Sequence, residues 1–305
     1  MKFSGINRRH FLRRTFAGAA IAGLASQLPL SWSVLAASPV QPKISLAQWS
    51  LHRQLRSGQL KVLDFAVKTR RDFQLGAVEY VNQFFADKAQ DQVFLRQLKQ
   101  RADDSGVSSL LIMVDAEGDL AAVEAKQRQQ AIENHYKWVE AAAFLGCHAI
   151  RVSIADNAKK TDALEMQQAA VLGLQQLAQF AAPFGISIIV ENHMGHSMDA
   201  NWLATVLQQA GNVGSLPDFG NFSGDKYQGT QLLLPFAKGI SAKSFAFDEN
   251  GAESSIDYHR MWQLIQSSGY QGYIGIEYEG ENADEDAGIR ATRDLLLAVA
   301  NHAGR

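Results

Sequence analysis

The chain has 305 residues, 47% of them hydrophobic, with 29 basic and 31 acidic side chains and one cysteine, Cys147. A near-neutral to acidic balance argues against a nucleic-acid partner or an anionic membrane surface, and one cysteine excludes an intramolecular disulfide. No run beyond the N-terminal segment is long and apolar enough to span a bilayer.

The chain opens with "NRRHFLRR" followed by "TFAGAAIAGLASQLPLSWSVLAAS". A basic start, an apolar middle and the small-residue end Ala36-Ala37-Ser38 predict a cleaved export signal over residues 1–37. The Arg8-Arg9 pair ahead of Phe11-Leu12 resembles the twin-arginine type, so the expected location is periplasmic or otherwise exported. Lys2, Arg8, Arg9, Arg13 and Arg14 leave with that segment, and residues 38–305 then carry 24 basic against 31 acidic residues, a charge of about −7.

Eight β-rich runs follow: "KISLAQWS" from Lys43, "AVEYV" from Ala77, "SLLIMV" from Ser109, "AIRVSI" from Ala149, "ISIIVE" from Ile186, "VGSLPD" from Val213, "ISAKSFAF" from Ile240 and "YIGIEYE" from Tyr273. Between them apolar residues recur at helical spacing, as in Ala131, Ile132, His135, Trp138, Val139 and Ala142. Buried strands alternating with helices imply a parallel sheet covered by helices. Eight units of this length predict a single-domain α/β fold, a (β/α)8 TIM barrel over residues 38–305. An open doubly wound sheet is the alternative, but no Gly-rich dinucleotide fingerprint follows the first strand.

Active residues of such barrels gather at the C-terminal strand ends. The fifth strand ends in Glu191, the sixth in Asp218 and the eighth in Glu277; the second carries Glu79, the third ends in Asp115 and the fourth holds Arg151. Ser241 and Lys243 share one face of the seventh, because strand side chains alternate. Charges inside apolar strands are costly unless paired or bound to metal, and three carboxylates at one mouth repel unless a cation lies between them. A divalent metal on Glu191, Asp218 and Glu277 is therefore expected. The alternative for each carboxylate alone is a surface group or an ion pair with Arg151 or Lys243.

"IVENH" at 189–193, "LPDFGNF" at 216–222, "SAKSFAFDENG" at 241–251 and "YIGIEYEGE" at 273–281 resemble the xylose-isomerase-like barrel family of sugar isomerases and epimerases. The resemblance implies a metal held by Glu191, Asp218 and Glu277, together with a histidine on the seventh strand. Here the matching position is Ser241, with Lys243 two residues on. An all-oxygen site suits Mg²⁺ or Mn²⁺ better than Zn²⁺.

The expected activity is that of a metal-dependent sugar isomerase or epimerase, which removes a proton next to a carbonyl and passes through an enediolate. Glu191 and Glu277 are the expected acid–base pair, Lys243 the group facing the enediolate oxygen, and His193, Arg151 and Glu79 the substrate contacts. A 3-keto-glycoside lyase or hydrolase sharing that first step is the alternative, and a non-catalytic sugar-binding barrel is the alternative of another class. The acidic loop "EGENADEDAG" with Asp284, Glu285 and Asp286 predicts a sugar or glycoside without a phosphate; self-association is compatible with all of these. Trp49 is expected in the core, with a sugar-stacking platform as the other reading. His135 is expected to be packed, and His196 to be a loop residue or a ligand.

Overall fold

A computed structural model describes residues 41–155 and 163–302. The segment expected to direct export lies outside the described residues. Eight parallel strands, β1 (Lys43–Ala47), β2 (Ala77–Val81), β3 (Ser108–Val114), β4 (Ala149–Val152), β5 (Ser187–Glu191), β6 (Gly214–Leu216), β7 (Ile240–Ser244) and β8 (Tyr273–Tyr278), form one sheet in the order β6-β5-β4-β3-β2-β1-β8-β7. Parallel bridges from Ser215 to Ala237 and from Asp218 to Ser241 join its two edges, so the sheet curls into a nearly closed barrel. The TIM-barrel expectation holds, and the open-sheet alternative falls.

Nine helices are described: α1 (His52–Arg56), α2 (Phe65–Phe73), α3 (Gln92–Asp104), α4 (Ala125–Leu145), α5 (Ala163–Ala181), α6 (Ala200–Ala210), α7 (Lys226–Leu233), α8 (Tyr258–Ser268) and α9 (Glu285–His302). Acidic side chains accept from first-turn N–H groups at the starts of α3 (Asp91), α4 (Glu124), α6 (Asp199), α7 (Asp225) and α8 (Asp257). These caps satisfy donors that have no partner within the helix. Along α4 the predicted stripe Ala131, Ile132, His135, Trp138, Val139 and Ala142 is buried. His135 is packed, as expected, with Nδ1 2.7 Å from the Ala131 carbonyl. No described helix is long and apolar enough to cross a membrane.

The two faces of the sheet bury different things. The outward face packs with the helices in the large core, which holds Leu46, Val78, Ile112, Ile150, Ile188 and Ile276. A second cluster, Ala47, Val81, Leu111, Met113, Ala149, Ile189 and Leu216, fills the barrel itself. Moving two residues along a strand keeps the face and advances toward the C-terminal mouth. Ala149 thus leads to Arg151, Ile189 to Glu191, Leu216 to Asp218 and Gly275 to Glu277. An apolar filling gives way, one layer higher, to charge.

Candidate active site

Strand alternation alone carries Arg151, Glu191, Asp218, Ser241, Lys243 and Glu277 to the interior face, each at most 4% exposed. Glu191, Asp218 and Glu277 each offer a carboxylate oxygen within 4.8 Å of the others. The expected triad is therefore assembled.

Two polar devices fix it. Asp218 Oδ1 accepts from the backbone N–H groups of Gly220 (2.7 Å) and Asn221 (2.9 Å), which turns Oδ2 toward the triad. The Asn192 side chain faces the other way from Glu191: its Nδ2 donates to the Asp218 carbonyl (3.0 Å) and its Oδ1 accepts from the Asp218 N–H (2.8 Å). It ties the end of β5 to the end of β6. Gln48 and Asn82 make comparable ties, accepting from the N–H groups of Val81 and Asp115.

The cations lie on either side. Arg151 Nη1 donates to Asp115 Oδ1 (2.5 Å), and its Nε lies 2.9 Å from Glu191 Oε2. Arg151, expected to bind substrate, has these two nitrogens engaged by carboxylates and orients Glu191. Lys243 Nζ lies 2.8 Å from Glu279 Oε2, 3.2 Å from Glu277 Oε2 and 3.5 Å from Asp218 Oδ2. Lys243 thus faces the site, as expected. Ser241 Oγ stands between Glu277 Oε2 (2.6 Å) and Asp218 Oδ2 (2.8 Å), at the position where the family resemblance implied histidine.

Burial without enough positive charge sets the protonation pattern. Burial pushes Glu191 up to about 7 against the pull of Arg151, and Asp218 up to about 7 against Lys243. Burial also acts on Glu277, but Lys243, the Ser241 hydroxyl and Arg151 outweigh it and hold Glu277 below the usual range. Asp115 behaves likewise, brought down to about 2 by Arg151 in spite of burial. Desolvation and then Arg151 lower the His193 imidazole, whose buried Nδ1 has no hydrogen-bond partner among the described residues.

Glu79 departs from its expected place among the substrate contacts. It accepts from Ser45 Oγ (2.6 Å), and a Cβ at Gly275 would lie 2.5 Å from its Oε1. Gly275 precedes Glu277 by two residues, so this carboxyl lies a layer below the triad, toward the barrel floor. Gly275 lacks a side chain because Glu79 fills that space. Burial, opposed by Ser45, pushes Glu79 up to about 7.

Three further expectations are refined. Trp49 lies at the edge of the core: it is half-buried, packs against the cluster inside the barrel, stacks on His52 with centroids 5.2 Å apart and donates through Nε1 to Glu279 Oε1. His196 is a residue of the loop after β5 and stacks on Trp202. Of the acidic run, Glu279 reaches the mouth, where it meets Lys243, while the three carboxylates singled out from it are engaged by the chain. Glu285 is fully buried and accepts from the N–H groups of Arg53 (2.8 Å) and Gln54 (3.2 Å), Asp286 accepts from Lys68 (2.6 Å), and Asp284 accepts from the Ala287 N–H (2.9 Å). Glu279 is the group that sequence reasoning missed. It follows Glu277 by two residues, and it also lines a cavity of about 660 Å³ with Phe245, Phe247, Tyr278 and Gly280.

The donor set fits a hard divalent cation. Three buried carboxylates converge, and Glu191 Oε2 has no hydrogen-bond donor among the described residues, its approach to Arg151 Nε being an ion pair outside hydrogen-bond geometry. Oxygen ligands at this spacing can close around one such ion at about 2.0–2.6 Å.

Comparison with known proteins agrees with this architecture. A 50-residue stretch, 16% of this chain, is 38% identical to the C-glycoside deglycosidase alpha subunit of Microbacterium trichothecenolyticum, spanning 14% of that protein. D-psicose 3-epimerase, solved in the presence of D-fructose, superposes with a TM-score of 0.67 over 85% of this chain and 99% of that one, at 15% identity. The 3-keto-D-glucoside 4-epimerase of E. coli superposes with a TM-score of 0.63 over 84% and 99%, at 14% identity. The IOLI protein with a bound zinc atom gives 0.69 over 85% and 98%, at 13% identity. Likeness at such identities shows the fold. Residues 71–299 match the family model described as xylose isomerase-like TIM barrel, and the chain belongs to that family.

Proposed function

We propose that the protein is a sugar isomerase or epimerase that removes a proton from the carbon next to a carbonyl. The observation carrying this reading is the buried meeting of Glu191, Asp218 and Glu277 at the C-terminal mouth of the barrel. A divalent cation held by those three side chains would polarise the carbonyl and acidify the neighbouring C–H. Mg²⁺ or Mn²⁺ suits three oxygen donors better than Zn²⁺, because the triad offers no nitrogen or sulfur. Glu277, which Lys243 and Ser241 hold ionised, is the base. Glu191, on the β5 side, is its acid–base partner and returns the proton. Lys243 faces the oxygen that gains charge, and the unpartnered His193 Nδ1 meets a sugar hydroxyl. Arg151 positions Glu191. A substrate without a phosphate follows from the charge of the mouth, where Asp115, Glu191, Asp218, Glu277 and Glu279 outnumber Arg151 and Lys243.

A second reading draws on the stretch similar to the C-glycoside deglycosidase subunit. If the substrate is a 3-keto-glycoside, the electron pair left at C2 forms a C1–C2 double bond. The C1 substituent then leaves with its bonding pair and takes up a proton. Both readings share the first step, so one experiment tests it: the protein is incubated with ketohexoses and 3-keto-glucosides in D₂O and followed by NMR. In an isomerisation or epimerisation deuterium should enter next to the carbonyl of the aldose or epimer formed, whereas elimination loses that hydrogen and releases the aglycone. Binding with neither exchange nor release on any of them would leave a sugar-binding barrel. The export reading has its own test: replacing Arg8 and Arg9 by lysine should hold the precursor in the cytoplasm.

A further inference from the structure

We propose that Lys243 is a built-in cation that shares the carboxylate cluster when no metal is bound and withdraws to Glu279 when one is, so that this lysine sets how tightly the site holds a divalent ion. This rests on the reading that the triad binds a metal.

The oxygens at issue are Glu277 Oε2 and Asp218 Oδ2. Each already meets two polar partners from the chain, the Ser241 hydroxyl at 2.6 and 2.8 Å and the Lys243 ammonium at 3.2 and 3.5 Å. A cation closing on the triad needs the same two atoms. An ammonium and a divalent ion a few ångströms apart in a buried site repel strongly, so they compete for those oxygens. Lys243 is only 2% exposed and cannot retreat into bulk water.

It has one other seat. Glu279 Oε2 lies 2.8 Å from Nζ, nearer than either triad oxygen. The second oxygen of Glu279 is held by the Trp49 indole N–H, so this seat is fixed in place independently of the lysine. Glu279 belongs to the loop beyond β8, outside the triad, and a small movement of Nζ toward it exposes Glu277 and Asp218. The stem has a lane of its own: a Cβ at Gly220 would come within 2.9 Å of Lys243 Cγ. Gly220 also donates its N–H to Asp218 Oδ1, so the turn that aims Asp218 is the one that leaves room for the lysine.

The experiment is titration calorimetry of Mn²⁺ into the EDTA-stripped protein at one pH. Lys243→Met should bind Mn²⁺ at least about tenfold more tightly than wild type, since the competitor is gone. Glu279→Gln should bind it about threefold or more weakly although no triad oxygen is touched, because the lysine has lost its alternative seat. Adding Glu279→Gln to Lys243→Met should then change affinity by less than about twofold, the signature of a coupled pair. Equal or weaker binding by Lys243→Met would overturn the proposal. So would a Glu279→Gln penalty that persists in the Lys243→Met background, which would be plain loss of a nearby charge. If Lys243→Met does not fold, Lys243→Gln takes its place, and an unchanged or higher affinity in Glu279→Gln alone overturns the proposal. Mn²⁺ binding by none of the proteins would refute the metal reading, and this inference with it. Equal binding by all would refute the inference alone.

Discussion

Ser241 Oγ lies 2.6 Å from Glu277 Oε2, a single hydroxyl at the place where the family resemblance implied an imidazole. The same oxygen is 2.8 Å from Asp218 Oδ2. A hydroxyl has one proton to donate, so with no metal present it donates to one carboxylate and accepts from the other. Glu277 is held below the usual range while burial pushes Asp218 up, so of the two Asp218 takes up a proton more readily. Ser241→Ala should therefore destabilise the metal-free protein by about 1–3 kcal/mol, the cost of leaving buried polar atoms unpaired. Denaturant unfolding in EDTA measures this. A midpoint equal to wild type would mean that the hydroxyl bridges nothing.

Glu191→Gln and Glu277→Gln should each fold and lose proton exchange from the substrate by about 10²-fold or more, the scale of general-base catalysis. Deuterium incorporation next to the carbonyl is the readout, with circular dichroism confirming the fold. Near-wild-type exchange in either variant would remove that carboxylate from the acid–base pair.

The Glu79 carboxyl makes stability depend on pH. Its proton affinity rises from 4.5 to about 7 on folding, with burial as the main cause. The folded state then binds the proton more tightly than the unfolded chain. This contribution to stability is complete below pH 4.5 and is lost as pH rises toward 7. In Glu79→Gln the side chain keeps its shape and its bond from Ser45, but it no longer titrates. Between pH 5 and 7.5 the metal-free wild type should lose Tm faster than this variant. Parallel pH profiles would show that Glu79 is ionised in the fold or reached by water.

How much of this was legible in the sequence follows from periodicity. Strand alternation is local, so the apolar runs ending in Glu191, Asp218 and Glu277 are enough to place three carboxylates on one face. The same rule puts Lys243 beside Ser241. It fails wherever position depends on a partner far along the chain. Trp49 meets Glu279 across 230 residues, and nothing near "LAQWS" announces that bond. Asn192 looks like part of a reactive trio with Glu191 and His193, yet consecutive side chains diverge, and it faces Asp218's backbone instead. Glu79 sits in the same kind of run as Glu191, but its depth in the barrel depends on the empty space at Gly275 on another strand.

The acidic run after β8 gives the last prediction. Read as charge, Asp284, Glu285 and Asp286 were a reason to expect an unphosphorylated substrate. In the fold, Glu285 is fully buried and accepts from the first-turn N–H groups of Arg53 and Gln54, joining the start of α9 to the start of α1. Two backbone donors lose their partner in Glu285→Ala. Each orphaned buried donor costs about 1–3 kcal/mol, and each kcal/mol lowers Tm by roughly 2–4 °C in a chain of this size. A clear drop in Tm should therefore accompany an unchanged preference between a keto-sugar and its phosphate ester, because the charges proposed to face the substrate are those of Glu191, Asp218, Glu277 and Glu279. Calorimetric melting and a paired substrate assay test the two halves separately. A variant with wild-type Tm and a new tolerance for the phosphate ester would return Glu285 to the mouth of the barrel.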